Sequence, residues 1–190
     1  HISTDDESIA AVASSYGHQP VFMRPGSLSN DHVSLMESLK YVVSRYLDLG
    51  YHFDTVALLY ATSPLMDSTD ISQACYEFEN GDLSKALLSI AAYPSPIEQA
   101  FGMMDDSTLF PANTGALAAR TQDLPHAYYD AGMFAFYTPE YILRSTDAGN
   151  FNGFRGFKVT SARVTDIDWP EDWFYAETLY QALQLQGSKV

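Results

Sequence analysis

Apolar side chains recur every three or four residues in four stretches of this sequence, and each stretch is bounded by start or stop signals. Ile9, Val12 and Ala13 share one helical face behind Thr4 or Asp5 as the capping residue. Asp6 and Glu7 then occupy the first turn, where the helix dipole favours acids, and Gly17 stops the run. Leu35, Leu39, Val42, Val43, Tyr46 and Leu47 mark a second helix that starts at Asp31 and ends at Gly50. Residues 69–80 form a third, stopped by Gly81, and residues 170–186 a closing helix whose first turn holds Pro170, Glu171 and Asp172.

Between these stretches lie short continuous apolar runs. Residues 53–61 read as a strand covered on both faces, most of 83–92 and the aromatic run 132–137 as further strands, and 157–167 as a strand or hairpin. A short apolar stretch, 21–23, meets the turn Arg24-Pro25-Gly26. Helices alternating with strands predict an α/β fold with a largely parallel sheet. Residues 93–130 are rich in Pro, Asn, Asp and Thr and lack periodicity, as expected of a segment that covers a site. No repeat, low-complexity tract or linker divides the chain, so a single domain over residues 1–190 is expected.

Composition narrows the function. With 46% hydrophobic and 14% aromatic residues the 190-residue chain is not a disordered tail. Ten basic against 24 acidic residues leave a formal net charge of −14, which opposes binding to nucleic acid or an anionic membrane. A phosphorylated ligand would need a metal ion or a few well-placed arginines to enter such a protein. No apolar run reaches the roughly 18 residues of a membrane span. The only cysteine, Cys75, excludes a disulfide framework and fits a reducing compartment, which leads to the expectation of a cytoplasmic protein.

Three segments carry candidate chemistry. In Asp166-Ile167-Asp168-Trp169-Pro170-Glu171-Asp172, an extended backbone would aim the Asp166 and Asp168 carboxylates the same way. Two such charges tolerate each other when a cation lies between them, and magnesium takes one or two carboxylates plus phosphate oxygens and water. The plainer reading makes Asp168 a helix cap and leaves Asp166 exposed. Leu58-Leu59-Tyr60-Ala61-Thr62-Ser63-Pro64-Leu65 leaves the carboxyl end of a strand, where open α/β sheets bind ligands, and Thr62 and Ser63 offer hydroxyls to a base or phosphate. Ser-Pro is equally an ordinary turn. Arg120, in Arg-Thr-Gln-Asp-Leu-Pro, is able to grip a carboxylate with two hydrogen bonds or to form a surface ion pair. The five histidines lack ligand spacing, no Ser-His-Asp order is credible, and no complete phosphate-cradling Gly-rich loop occurs.

Taken together, the motifs resemble the cytidylyltransferases that activate nine-carbon acidic sugars. The matching pieces are Ser-Thr-Asp-Asp-Glu at 3–7, Tyr-Gly at 16–17, Phe-Met-Arg-Pro at 22–25, Asp31 with Ser34, and Leu-Tyr-Ala-Thr-Ser-Pro-Leu at 59–65. Tyr-Pro-Ser-Pro-Ile at 93–97, Arg-Thr-Gln-Asp-Leu at 120–124, Asp-Ala-Gly at 130–132 and Asp-Ile-Asp-Trp-Pro-Glu-Asp at 166–172 complete the series, in the family's order and across essentially the whole chain. The 120–132 segment points to the branch that acts on pseudaminic acid.

The resemblance implies a Rossmann-like nucleotidyltransferase fold with a small projecting β element, usually as a homodimer. It implies a reaction of CTP with an acidic sugar that gives CMP-sugar and pyrophosphate. Asp166 and Asp168 match the family's magnesium carboxylates. Arg24, Asp31, Ser34, Tyr60, Thr62 and Ser63 match its nucleotide side, and Arg120, Gln122 and Asp130 its sugar side.

Several positions depart from the family. Ala61 stands in place of proline, Met133 in place of glutamine, and Trp169 in place of a small capping hydroxyl, the last at a cost of about 1 kcal/mol. The family begins with a strand, a basic triphosphate-cradling loop and a helix; none is found here, and His1 falls where a second strand should be ending. Those elements are therefore expected to precede His1, and without them the chain is expected to bind CTP poorly. The alternatives are a synthetase for N-acetylneuraminic or legionaminic acid, or an inactive remnant that serves as a dimerising or sugar-binding module.

Overall fold

The structure, a computed structural model, describes residues 1–30, 32–145 and 153–187. Side-chain caps decide where its helices begin. Helix α1 (Glu7–Ser15) starts after Asp6, whose carboxylate accepts the N–H groups of Ser8 and Ile9. The expected cap Thr4 is buried and accepts from Asp6 N instead. Helix α2 (Leu35–Asp48) starts after Ser34 in a reciprocal pair with Glu37, and Gly50 ends it at φ +83°. Its expected start, Asp31, lies outside the described residues.

Strand β1 (Val56–Leu59) is shorter than the apolar run suggests; ahead of it Tyr51 and Phe53 stack on each other and meet the Tyr46 ring edge-on. Helix α3 (Ser68–Glu79), capped by Asp67, and strand β2 (Ala86–Ala92) follow. The irregular middle contains a two-stranded sheet, β3 (Phe101–Met103) with β4 (Leu109–Pro111), which exposes Phe101, Met103, Leu109 and Phe110. Strand β5 (Tyr128–Tyr137), helix α4 (Pro139–Arg144) with its Thr138 cap, strand β6 (Phe154–Lys158) and helix α5 (Pro170–Gly187) complete the order. The expected strand or hairpin over 157–167 is corrected: β6 ends at Lys158 and a 3-10 turn occupies Ser161–Arg163.

Among the described residues the chain forms two compact units. The first comprises His1–Val56, Asp82–Ala86 and Tyr137–Phe154. In it α2 packs on α4, Lys40 donates to the Ser145 carbonyl, and the His1, Phe22 and Tyr46 rings cluster.

The second unit comprises Ala57–Gly81, Leu87–Phe136 and Arg155–Val190, and carries nearly all of the sheet, in the order β1-β5-β2-β6. Phe78, Leu87, Met133, Phe134, Phe136 and Phe157 fill its core. The central β2–β5 pair runs antiparallel, from Leu87 opposite Phe136 to Ala92 opposite Tyr128, so the sheet of this α/β, Rossmann-like fold is mixed. A strand buried on both faces reads as one apolar run whichever way its neighbour points, so the sequence pattern carries no direction.

Candidate functional site

The site grows from an irregularity in the β2–β5 ladder. Leu88 pairs with Ala135, but Ile90 pairs with Asp130, so residues 131–134 bulge opposite Ser89. Two of their N–H groups turn to a side chain on β2. The buried Ser89 hydroxyl oxygen accepts from Met133 N at 3.2 Å and Phe134 N at 3.1 Å. Gly132 takes φ +60° inside the bulge, a conformation that favours glycine, and its N–H donates to Asp130 Oδ1 at 2.9 Å. The bulge therefore aims Asp130 and holds its carboxylate.

The loop leaving β1 fastens two segments to one another. Tyr60 N donates to the Met133 carbonyl at 3.0 Å, and Ile167 N donates to the Thr62 carbonyl at 3.0 Å. Between these bonds the Ser63 hydroxyl lies 2.7 Å from the Gly132 carbonyl and 3.0 Å from the Thr165 carbonyl. Its single proton is shared between two acceptors.

A cleft of about 420 Å³ opens beside this junction, with Tyr129, Asp130, Thr165, Asp166, Asp172 and Tyr175 in its walls. Burial raises the pKa of the half-buried Tyr60 phenol, and the negative charges of Asp130 and Asp166 raise it further, so both carboxylates lie within electrostatic reach of that ring. Asp166 Oδ2 would lie 3.5 Å from a methyl group placed on Gly132. Across the Tyr93–Tyr129 ring contact, 5.0 Å between centroids, lies a larger, mostly apolar recess of about 620 Å³ beside Pro94, Ile97, Phe101 and Leu117.

Asp172, one turn into α5, points back along the chain. Its Oδ2 accepts Trp169 N at 2.8 Å and Asp168 N at 3.0 Å. This is the returning half of a capping box: the N3 carboxylate takes up the backbone N–H of the cap position, while Trp169 has no side-chain oxygen to make the forward half.

The structure sorts the residues singled out in the sequence. Asp130 and Asp166 line the cleft, Tyr60 feels the charge of both, and the Thr62 carbonyl accepts Ile167 N, next to Asp166. Asp168 is exposed two residues further on, its backbone held by Asp172. Ser63 corrects the expectation of a ligand-facing hydroxyl: it is 0% exposed, and its hydroxyl is engaged by two carbonyls. Ser34 is likewise a helix cap, engaged with Glu37.

Arg24 donates to Ser29 Oγ at 3.2 Å and pairs with Asp5 at 3.4 Å. Arg120 forms the surface ion pair, with its Nε 2.8 Å from Asp123 Oδ2, and Gln122 is exposed in the same turn. Met133 is 0% exposed and so contacts no sugar. Sequence reasoning missed Ser89 and the inward turn of Asp172. The three-residue step from Trp169 to Asp172 is the spacing that would have revealed the second.

Magnesium is a hard cation that takes oxygen donors. Among the described residues no group of three His, Cys, Asp or Glu forms a ready metal cage. Magnesium does not need one, since carboxylate oxygens from one or two residues suffice when phosphates and water complete the shell. The exposed carboxylates of Asp166 and Asp168, with Asp130 on the same cleft as Asp166, are hard oxygen donors of that kind.

Comparison with known proteins gives one consistent result. Residues 1–187 match the sequence profile of the cytidylyltransferase family. The chain is 31% identical over 180 residues to a pseudaminic acid cytidylyltransferase of Campylobacter jejuni subsp. jejuni serotype O:23/36 (strain 81-176), covering 95% of this chain and 77% of that protein. It is 32% identical over 108 residues to an N-acylneuraminate cytidylyltransferase of Escherichia coli O18:K1:H7 (strain RS218 / NMEC), covering 57% of this chain and 25% of that one.

In fold it is similar to a CMP:2-keto-3-deoxy-manno-octonic acid synthetase complexed with CTP, with a TM-score of 0.63 at 14% identity over 95% of this chain and 79% of that one. A 4-diphosphocytidyl-2C-methyl-D-erythritol synthase gives a TM-score of 0.61 at 14% identity over 94% and 78%. At that identity the likeness speaks for the fold alone.

Proposed function

The chain belongs to the cytidylyltransferase family, and from that premise we propose that it transfers the cytidylyl group of CTP to pseudaminic acid, giving CMP-pseudaminic acid and pyrophosphate. One observation carries the chemistry: Asp130 and Asp166, from distant parts of the sequence, meet at a single cleft beside Tyr60. The choice of sugar follows the relatives that match along 95% of the chain.

The sugar's anomeric hydroxyl attacks the α-phosphorus in line. As the new O–P bond forms, the hydroxyl gives up its proton to water, the bond between the α-phosphorus and the bridging oxygen breaks, and pyrophosphate departs with its electron pair. Asp166 and Asp168 would hold magnesium, and when bound the ion neutralises phosphate charge and helps keep the reactants in line. A chain of net charge −14 has particular need of that neutralisation. Arg120, released from Asp123, would meet the sugar's carboxylate, with Gln122 in the same turn, while Tyr60 and Thr62 would serve the nucleotide. A reaction that consumes CTP belongs in the cytoplasm.

We further propose that the protein acts as a homodimer. The exposed Phe101, Met103, Leu109 and Phe110 of the β3–β4 sheet are the support for that reading.

The test is pyrophosphate release by the complete gene product with CTP, magnesium and each acidic sugar in turn. The expected result is turnover with pseudaminic acid well above that with N-acetylneuraminic or legionaminic acid, and a loss of about a hundredfold or more in Asp166→Asn and Asp168→Asn. Undiminished turnover in both variants would overturn the carboxylate mechanism.

A further inference from the structure

We infer that Ser63 is a positioning residue that sets the separation of the two sides of the carboxylate cleft, an inference that rests on the cytidylyl transfer proposed above. The side chain is fully enclosed, so it touches neither nucleotide nor sugar. Its hydroxyl bridges the Gly132 and Thr165 carbonyls at 2.7 and 3.0 Å. Each carbonyl belongs to the backbone that aims a cleft carboxylate: Thr165 directly precedes Asp166, and Gly132 donates its N–H to Asp130 Oδ1. One proton thus joins the segment that carries Asp130 to the segment that carries Asp166.

The neighbouring backbone bonds explain why this role is separable from folding. Tyr60 N holds the loop to Met133, and Thr62 holds Ile167, whether or not position 63 has a hydroxyl. Removing the hydroxyl leaves the loop docked and leaves the buried Thr165 carbonyl and the part-buried Gly132 carbonyl without their shared donor. The segments are then free to part, and Asp166, which would hold the ion with Asp168, loses the fixed backbone that aims its carboxylate, along with its spacing from Asp130. Outer partners of metal-holding carboxylates act in this way, and their loss costs about tenfold or more in affinity.

The test uses the complete gene product and Mn2+ alone as probe, with free Mn2+ counted by electron paramagnetic resonance, followed by pyrophosphate release with CTP and sugar. Ser63→Ala is expected to keep the wild-type circular dichroism, to weaken Mn2+ binding about tenfold, and to raise by a similar factor the Mg2+ needed for half-maximal turnover.

Ser145→Ala is the matched comparison. It removes a buried hydroxyl that donates to the Tyr141 carbonyl in the other unit, and it is expected to leave Mn2+ affinity unchanged. Should Ser63→Ala fail to fold, Ser63→Cys carries the test in the same direction, because a thiol fills the site but donates weakly. Wild-type Mn2+ affinity in a folded Ser63 variant would overturn the positioning role and leave the transfer reaction standing. A wild-type protein that holds no Mn2+ and releases no pyrophosphate would overturn the reaction and this inference together.

Discussion

The Asp172 carboxylate accepts the backbone N–H of Asp168 at 3.0 Å, so an acid inside helix α5 holds the backbone of the acid just ahead of that helix. The same oxygen takes the Trp169 N–H at 2.8 Å. A helix start that looks poorly capped from its Trp-Pro entry is closed from within, and Asp168 is fixed as a result.

Asp172→Ala should therefore act on both stability and function. Loss of the returning cap is expected to cost about 1 kcal/mol in urea unfolding and to raise the magnesium requirement for pyrophosphate release. Asp172→Asn keeps an acceptor oxygen and should recover most of the stability. An alanine variant as stable as wild type would remove Asp172 from the cap.

Gly132→Ala tests the bulge. A Cβ at φ +60° is disfavoured by about 1–2 kcal/mol, yet it would meet Asp166 Oδ2 only at ordinary contact distance, 3.5 Å. The expected result is a loss of roughly that size in denaturant unfolding, without collapse of the fold. A loss several times larger would mean that Asp166 cannot yield.

Tyr60 supplies a pH signature. Burial and the two nearby carboxylates raise its folded pKa above 10.0, so the folded state holds the phenolic proton more tightly than the unfolded state does. The associated stability is fully present below pH 10 and is lost as pH rises from there through the folded value. Thermal unfolding of Tyr60→Phe should show a shallower alkaline decline than wild type, and identical declines would remove Tyr60 from the acidic cleft.

Arg120→Ala separates the two readings of that residue. If the guanidinium meets the sugar carboxylate, the charged hydrogen bonds lost are worth about 1.5–3 kcal/mol, and KM for the sugar should rise about tenfold or more with kcat little changed. An unchanged KM would leave only the surface pair with Asp123, 2.8 Å away.

Asp123→Ala gives a complementary result. It frees the guanidinium from its neighbour and should leave KM for the sugar equal to or below the wild-type value. A rise in KM would mean that Asp123 aims the arginine.

How much of this was legible in the sequence depends on the range of the forces involved. Helices α1, α2, α3 and α5 all appear in the spacing of apolar residues, because i, i+3 and i+4 contacts are local. Their starts shifted where a different carboxylate or hydroxyl, Asp6 or Ser34, won the local competition for free N–H groups. The six-residue α4 and the three-residue strands β3 and β4 left too few positions for a period to register.

The sequence by itself determined the four longer helices, the acidic balance that calls for a cation beside any nucleotide, and, through motif order, the family to which the chain belongs. Only the tertiary structure decided the antiparallel β2–β5 pairing, the bulge at Gly132, and the burial that makes Ser63 a clasp. The physical reason is that an apolar run states that a strand is covered but not by what, and a serine states that it has a proton to give but not to whom. Both are answered by residues far along the chain, which no local period encodes.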